Sequence, residues 1–217
     1  MTERKDKKET RRKKTPRSIS RRQQVQHQKI IIGCIAAALL ILLVTLVFLP
    51  TLGSKKPKGT LVGVNEDVLR YRSQMDAWCR EYNISQYSTL LLAMMQQESS
   101  GQGTDVMQCS ESPFNTLYSN EPGSISDPDY SIQVGVQTFA YCLEQAGCKR
   151  ISDMDRLKLA IQEYNFGNLY SGWALETYGG YSPENAAEYS EIMKAQLGWA
   201  SYGDPEYVDH VLQYISF

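Results

Sequence analysis

The sequence predicts an all-α, or nearly all-α, globular domain of about six helices set behind a single transmembrane helix. Three observations carry this reading. Ile30–Leu49 is a run of twenty residues with no charge. Beyond Asn65, apolar residues recur at three- and four-residue spacing, bounded by capping residues and glycines at helical lengths. No stretch alternates apolar and polar residues over the length of a strand, and no internal repeat is present.

Taken in chain order, residues 1–29 carry 12 Lys/Arg against 3 Asp/Glu and form a basic tail. As a helix, residues 30–49 would span roughly 30 Å, the thickness of a bilayer's hydrocarbon core. The positive-inside rule keeps the basic tail cytoplasmic and places the chain beyond residue 49 on the extracellular face of the cell membrane. A cleaved signal peptide would have an apolar core of about 7–15 residues ending in a small-x-small site. Leu49-Pro50-Thr51-Leu52-Gly53 does not supply one, so an uncleaved single-pass anchor is expected. The tail has no interleaved aromatics and no folded scaffold, which argues against nucleic acid and for anionic lipid. Residues 50–64 are a linker, with Ser54–Gly63 a Pro/Gly/Lys tether.

Residues 65–217 hold 8 Lys/Arg against 21 Asp/Glu, all 14 tyrosines and all three tryptophans. The chain's net charge of −1 is thus a cancellation between a basic tail and linker and an acidic domain. The 153 residues of that domain suffice for one proper core. Asn65 caps Glu66-Asp67, and Val68, Tyr71, Met75, Trp78/Cys79 and Tyr82 make one helix face, with Asn83 as a left-handed stop. A second helix starts near Ser85 or Ser88 and runs through Leu90–Met95, apolar on every side and therefore buried. Asp127-Pro128 opens a third helix ending at Gly147, and Ser152 with Asp155 opens a fourth ending at Gly167. Ser182-Pro183-Glu184 and Asp204-Pro205-Glu206 each start another.

Four cysteines, Cys79, Cys109, Cys142 and Cys148, lie on the exported side, and four allow three pairings. Cys142 with Cys148, close across a helix end, is the favoured pair. None has metal-ligand spacing, and His27 and His210 are the only histidines, so neither a zinc enzyme nor a His-based triad is expected. No metal or cofactor is called for.

The chemistry concentrates where the buried helix ends, in Gln96-Gln97-Glu98-Ser99-Ser100-Gly101. A carboxyl at the rim of an apolar core has a raised pKa, which suits a general acid that protonates a leaving oxygen near neutral pH. Asp105 comes after a Gly-x-Gly turn that can bring it back across a cleft, and two carboxylates are the usual equipment for glycoside hydrolysis. A second cluster, Tyr164-Asn165-Phe166-Gly167-Asn168 with Tyr170, Trp173 and Tyr178–Tyr181, supplies amide edges and aromatic faces fit for a sugar groove. Some of these rings, Tyr164 and Trp173 among them, compete for places in the core.

The ordered set Glu98-Ser99, Met107-Gln108, Asp127-Pro128 with Ile132 and Gly135, and Tyr164-Asn165-x-Gly167 resembles the motif series of the lysozyme-like and lytic transglycosylase superfamily. Asp105-Val106-Met107-Gln108-x-Ser110-Glu111-Ser112 and Tyr202-Gly203-Asp204-Pro205-x-Tyr207-Val208 look like one group within it. This is the lysozyme-like domain of bifunctional cell-wall hydrolases encoded on conjugative elements of Gram-positive bacteria. The resemblance covers residues 65–217 and implies Glu98 as general acid and Asp105 as second catalytic carboxylate. It implies Gln108 and Asn165 as cleft residues, and Ser99, Met107, Ser110, Tyr164, Gly167 and Tyr170 complete the expected substrate-contacting set. Two departures stand out. Cys109 replaces a serine after Met-Gln and offers the active-site loop a disulfide, and the endopeptidase domain carried C-terminally by bifunctional relatives is not expected here.

The expected activity is that of a membrane-tethered muramidase. It would cut the β-1,4 bond between N-acetylmuramic acid and N-acetylglucosamine in peptidoglycan strands, opening the wall locally, with proteins of a conjugative secretion apparatus as possible partners. Two rivals remain open: a lytic transglycosylase with Glu98 alone, and a non-catalytic glycan-binding subunit of a secretion apparatus. Retention or inversion rests on the carboxyl separation, about 5–5.5 Å or roughly 6.5–9.5 Å respectively.

Overall fold

The computed structural model describes residues 58–217. The expected basic tail, transmembrane helix and most of the linker lie outside the described residues. Among the described residues no helix is long and apolar enough to cross a membrane.

The domain is helical, as its spacing predicts, with eight α-helices among the described residues rather than about six. They are α1 (Glu66–Leu69), α2 (Arg72–Glu81), α3 (Ser88–Glu98), α4 (Pro128–Gln145), α5 (Met154–Phe166), α6 (Tyr170–Tyr178), α7 (Pro183–Leu197) and α8 (Tyr207–Leu212). The surplus has two sources. The first predicted helix breaks into α1 and α2 at Arg70-Tyr71, and the aromatic cluster after Gly167 is itself helical. A two-residue ribbon joins β1 (Thr60–Leu61) antiparallel to β2 (Ile215–Ser216), pairing Thr60 with Ser216 and Leu61 with Ile215. The folded unit therefore takes in residues ahead of the expected boundary at Asn65.

The local signals act largely where the sequence puts them. The Asn65 side chain accepts from Val68 N at 2.9 Å, and Asp127 accepts from Asp129 N at 3.0 Å with Pro128 behind it. Ser182 and Asn185 form a reciprocal capping box. The fourth predicted start is displaced by one residue. Asp153, not Ser152, caps α5 by accepting from Arg156 N at 3.4 Å. Asn83 adopts the left-handed conformation expected of it, with φ of 60°.

α3 is the axis of the core, with every residue from Ser88 to Gln96 buried. A helix without a polar face must be covered on all sides. α1, α2, α8 and both strands of the ribbon pack around it, while α4 and α5 pack on one another. An aromatic set of Phe166, Tyr170, Tyr189 and Tyr202 ties α5, α6 and α7 together, with ring centroids 5.2–6.3 Å apart in the contacting pairs. Cys79, Cys109, Cys142 and Cys148 are all buried free thiols, so the favoured Cys142–Cys148 pair is not made. The Cys148 thiol instead contacts the Tyr87 hydroxyl at 3.7 Å.

Candidate active site

Glu98 is the last residue of α3, where the buried helix reaches the domain surface and its side chain becomes half-buried. The chain then turns sharply. Ser100 has φ of 55° and Gly101 φ of 74°, and a Cβ on Gly101 would lie 2.7 Å from the Asp67 carbonyl carbon. Ser99 Oγ donates to Val106 O at 2.7 Å and accepts from Gly101 N at 3.1 Å, folding the loop back on the helix end. Tyr207 of α8 donates its hydroxyl to Glu98 Oε1. Burial pushes the Glu98 pKa up to about 7, the tyrosine hydrogen bond pulls it down, and the charges of Asp105 and Asp204 push it up.

Asp105 is held differently. It is 4% exposed, and both oxygens are fully engaged. Oδ1 accepts from Cys109 N at 3.1 Å and Ser131 Oγ at 2.7 Å, and Oδ2 from Ser110 N at 3.1 Å and Ser110 Oγ at 2.6 Å. The carboxylate is the centre of a clamp that folds residues 105–110 around itself and pins them to α4 through Ser131. Met107 N donates to the same Ser131 Oγ at 3.0 Å, and Tyr164 Oη donates to Met107 O at 2.9 Å. The Cys109 thiol donates to Ser131 O at 3.2 Å, so this cysteine ties the loop by a hydrogen bond rather than by the expected disulfide.

Beside this network runs a cleft of about 650 Å³, with Gln108, Tyr164, Asn165, Gly167, Trp199 and Tyr202 among its walls. Tyr164 and Cys109 line it and both feel the charge of Glu98, which is not itself among the lining residues. Gln108, at φ of 46°, turns out to solvent and donates through Nε2 to Asp105 O at 2.8 Å. Asn165 Oδ1 accepts from Asp204 N at 2.6 Å, joining the cleft wall to the segment that leads into α8.

Of the expected substrate contacts, Gln108, Tyr164, Asn165 and Gly167 are brought together at the cleft. Four others are not. Met107 is fully buried and meets the site only through its backbone; Ser110 is 1% exposed and spends its hydroxyl on Asp105. Tyr170 is fully buried in the aromatic core, its hydroxyl donating to Asn185 Oδ1 at 2.7 Å. Ser99 is absorbed in the loop turn. Reading the motif residues missed Tyr207, Ser131 and Trp199. Tyr207 already stood in the Tyr202–Val208 string, but nothing in that string says that its hydroxyl reaches Glu98.

A carboxyl with its pKa raised to about 7, a second carboxylate held beneath the neighbouring loop and an aromatic-walled cleft mark a lysozyme-like type of domain on a helical scaffold. The chain belongs to the lysozyme-like family, whose model matches residues 65–215. It is 34% identical to the bifunctional muramidase/DL-endopeptidase CwlT of Bacillus subtilis, over 71% of this chain and 43% of that protein. It is 36% identical to the uncharacterized membrane protein YocA of the same organism, over 69% of this chain and 63% of that protein. A pneumococcal vaccine antigen A homolog of Streptococcus pyogenes is 31% identical over 69% of this chain and 70% of its own length. Among solved structures, an NLP/P60-family lipoprotein-like protein of Staphylococcus aureus superposes with a TM-score of 0.60 and 29% identity. That match covers 72% of this chain and 55% of the other.

Proposed function

We propose that this chain is a cell-wall glycosidase, a muramidase that cuts the β-1,4 bond after N-acetylmuramic acid in peptidoglycan. The observation that carries the reading is Glu98, a half-buried carboxyl with a pKa raised to about 7, whose charge is felt by Tyr164 and Cys109 in the cleft wall. In its protonated form Glu98 gives its proton to the glycosidic oxygen as the C1–O bond breaks. The oxocarbenium-like centre is then taken by water, whose proton returns to Glu98. Asp105 supports this charge from beneath the loop. To attack C1 directly it would have to release hydrogen bonds from Cys109, Ser110 and Ser131.

That same saturation favours a second reading, in which Glu98 acts alone and the sugar's own hydroxyl closes an anhydro ring. Digesting purified wall with the protein and weighing the products separates the two. Reducing muramic acid ends are expected, and anhydromuramoyl ends would replace hydrolysis with transglycosylation. Glu98→Gln is expected to abolish clearing of wall embedded in a gel, at a cost of about 10²-fold or more; unchanged clearing would remove the catalytic assignment altogether.

Tethering to the cell membrane through residues 30–49, with the domain facing the wall, belongs to the same proposal. It is supported by the uncharged run in the sequence and by the membrane protein among the relatives. Local opening of the wall for a conjugative apparatus rests on the motif resemblance. Activity found in the culture supernatant rather than the membrane fraction would count against the tether.

A further inference from the structure

We propose that Glu163 is a substrate-positioning residue, its side chain at the floor of the cleft binding the acetamido carbonyl of an N-acetylated amino sugar. This rests on the glycan-cleaving reading above and names what one part of the cleft recognises. Glu163 lies on α5 immediately before the Tyr164-Asn165 step, is fully buried, and lines the cleft. Neither of its carboxyl oxygens has a hydrogen-bond partner. A buried carboxyl left without a partner is costly, and folded proteins supply one from the chain, from solvent or from a ligand. Among the described residues no lysine, arginine or histidine lines the cleft, so the domain itself provides no counter-ion.

Burial raises the Glu163 pKa to about 8, so the group stays mostly protonated at neutral pH. Cys142 from α4 and Tyr189 from α7 feel its charge, and both have pKa values raised by burial, so they remain neutral where Glu163 titrates. A neutral carboxylic acid offers one donor and one acceptor. The acetamido carbonyl is a strong acceptor that needs a donor in a dry site. The free ammonium of a de-N-acetylated sugar would require Glu163 to ionise there. Trp199, 57% exposed, and Tyr202 stand in the same cleft with ring centroids 6.0 Å apart, giving the sugar ring an apolar face to rest on.

The test uses the full chain in detergent with the silencing substitution Glu98→Gln, so that binding is read without turnover. A GlcNAc–MurNAc tetrasaccharide and its de-N-acetylated form are titrated by calorimetry against chains carrying Glu163, Glu163→Gln or Glu163→Met. The native residue and Glu163→Gln, which keeps a donor, are expected to bind the acetylated sugar within about threefold of one another. Glu163→Met is expected to bind about tenfold or more weakly, the loss of one buried hydrogen bond. Affinity of the chain with Glu163 should fall as pH passes 8, whereas the glutamine variant should show no such step; this comparison stands even if the methionine variant fails to fold.

Equal binding by Glu163→Met, or a pH step that survives in Glu163→Gln, would overturn the proposal. So would tighter binding of the de-N-acetylated sugar that is lost in Glu163→Gln, since that marks an ion pair. Wall clearing by the chain with native Glu98 is measured alongside. Clearing with binding indifferent to Glu163 removes this proposal alone. Glu163-dependent binding without clearing removes the glycosidase reading alone.

Discussion

Replacing Tyr207 by phenylalanine isolates the one interaction that holds the Glu98 pKa down. Burial and the charges of Asp105 and Asp204 raise it, and the Tyr207 hydroxyl opposes them by donating to the ionised form, with a balance near 7. A hydrogen bond to a charged group is worth about 1.5–3 kcal/mol. At about 1.4 kcal/mol per pKa unit, its loss raises the Glu98 pKa by about 1–2 units, to roughly 8–9. The general acid must carry its proton, so the alkaline limb of kcat/KM on purified wall should move upward by that amount. At pH 7.5 the protonated fraction rises from about a quarter to about three quarters or more, and kcat/KM rises about threefold or more. The assay is a turbidity series from pH 5 to 10, with circular dichroism to show that Tyr207→Phe leaves the fold intact. An alkaline limb that stays near 7 or moves toward acid would refute Glu98 as the acid whose titration limits the reaction.

The same network supports three further expected outcomes. Ser131→Ala removes both the donor to Asp105 Oδ1 and the acceptor of Met107 N, and should cost about 2–4 kcal/mol in urea unfolding; a loss under about 0.5 kcal/mol would show that the clamp is not structural. Gly135→Ala would set a methyl 2.7 Å from Met107 Cβ and 3.0 Å from the Tyr164 hydroxyl. It should cost about 1–3 kcal/mol and slow wall clearing, read by thermal melting and turbidity. Glu163 binds its proton more tightly folded, with a pKa of about 8, than unfolded, at 4.5. Its contribution is fully present below the unfolded value and is lost as pH rises through about 8. Glu163→Gln should therefore remove a pH-dependent loss of a few kcal/mol over that window, and parallel stability curves for the two chains would contradict the burial of the acid.

The helices were legible because their punctuation is local. Asn65, Asp127 and Ser182 cap by reaching three or fewer residues ahead, and Asn83 stops by its own backbone preference. The same locality made Glu98 visible, since a wholly apolar run ending in Gln-Gln-Glu announces a rim position. What could not be read is where a side chain goes once helices pack. Ser110 sits in a motif string beside Gln108, yet one turns inward to Asp105 and the other outward to the cleft, because Gln108 takes a left-handed backbone. Tyr170 comes just after the Tyr164–Asn168 cluster but starts a new helix whose face is covered by Tyr189. Glu163 reads as the polar edge of an amphipathic helix and is buried all the same, near enough to Cys142 of α4 and Tyr189 of α7 for both to feel its charge.

The domain thus holds three acids whose environments push their chemistry apart. Asp105 is given four donors and organises its loop. Glu98 is given one donor and partial exposure, so it can both lose and regain a proton near neutral pH. Glu163 is given none and is buried where it lines the cleft, so it stays neutral until alkaline pH. The one donor aimed at Glu98 and the lack of any at Glu163 separate those two acids, since both are withdrawn from water. Tyr207 reaches Glu98 from α8, more than a hundred residues further along the chain, and pulls its pKa down against burial. The C-terminal segment, carrying Trp199, Tyr202, Asp204 and Tyr207, is accordingly part of the candidate site as much as the motif around Glu98.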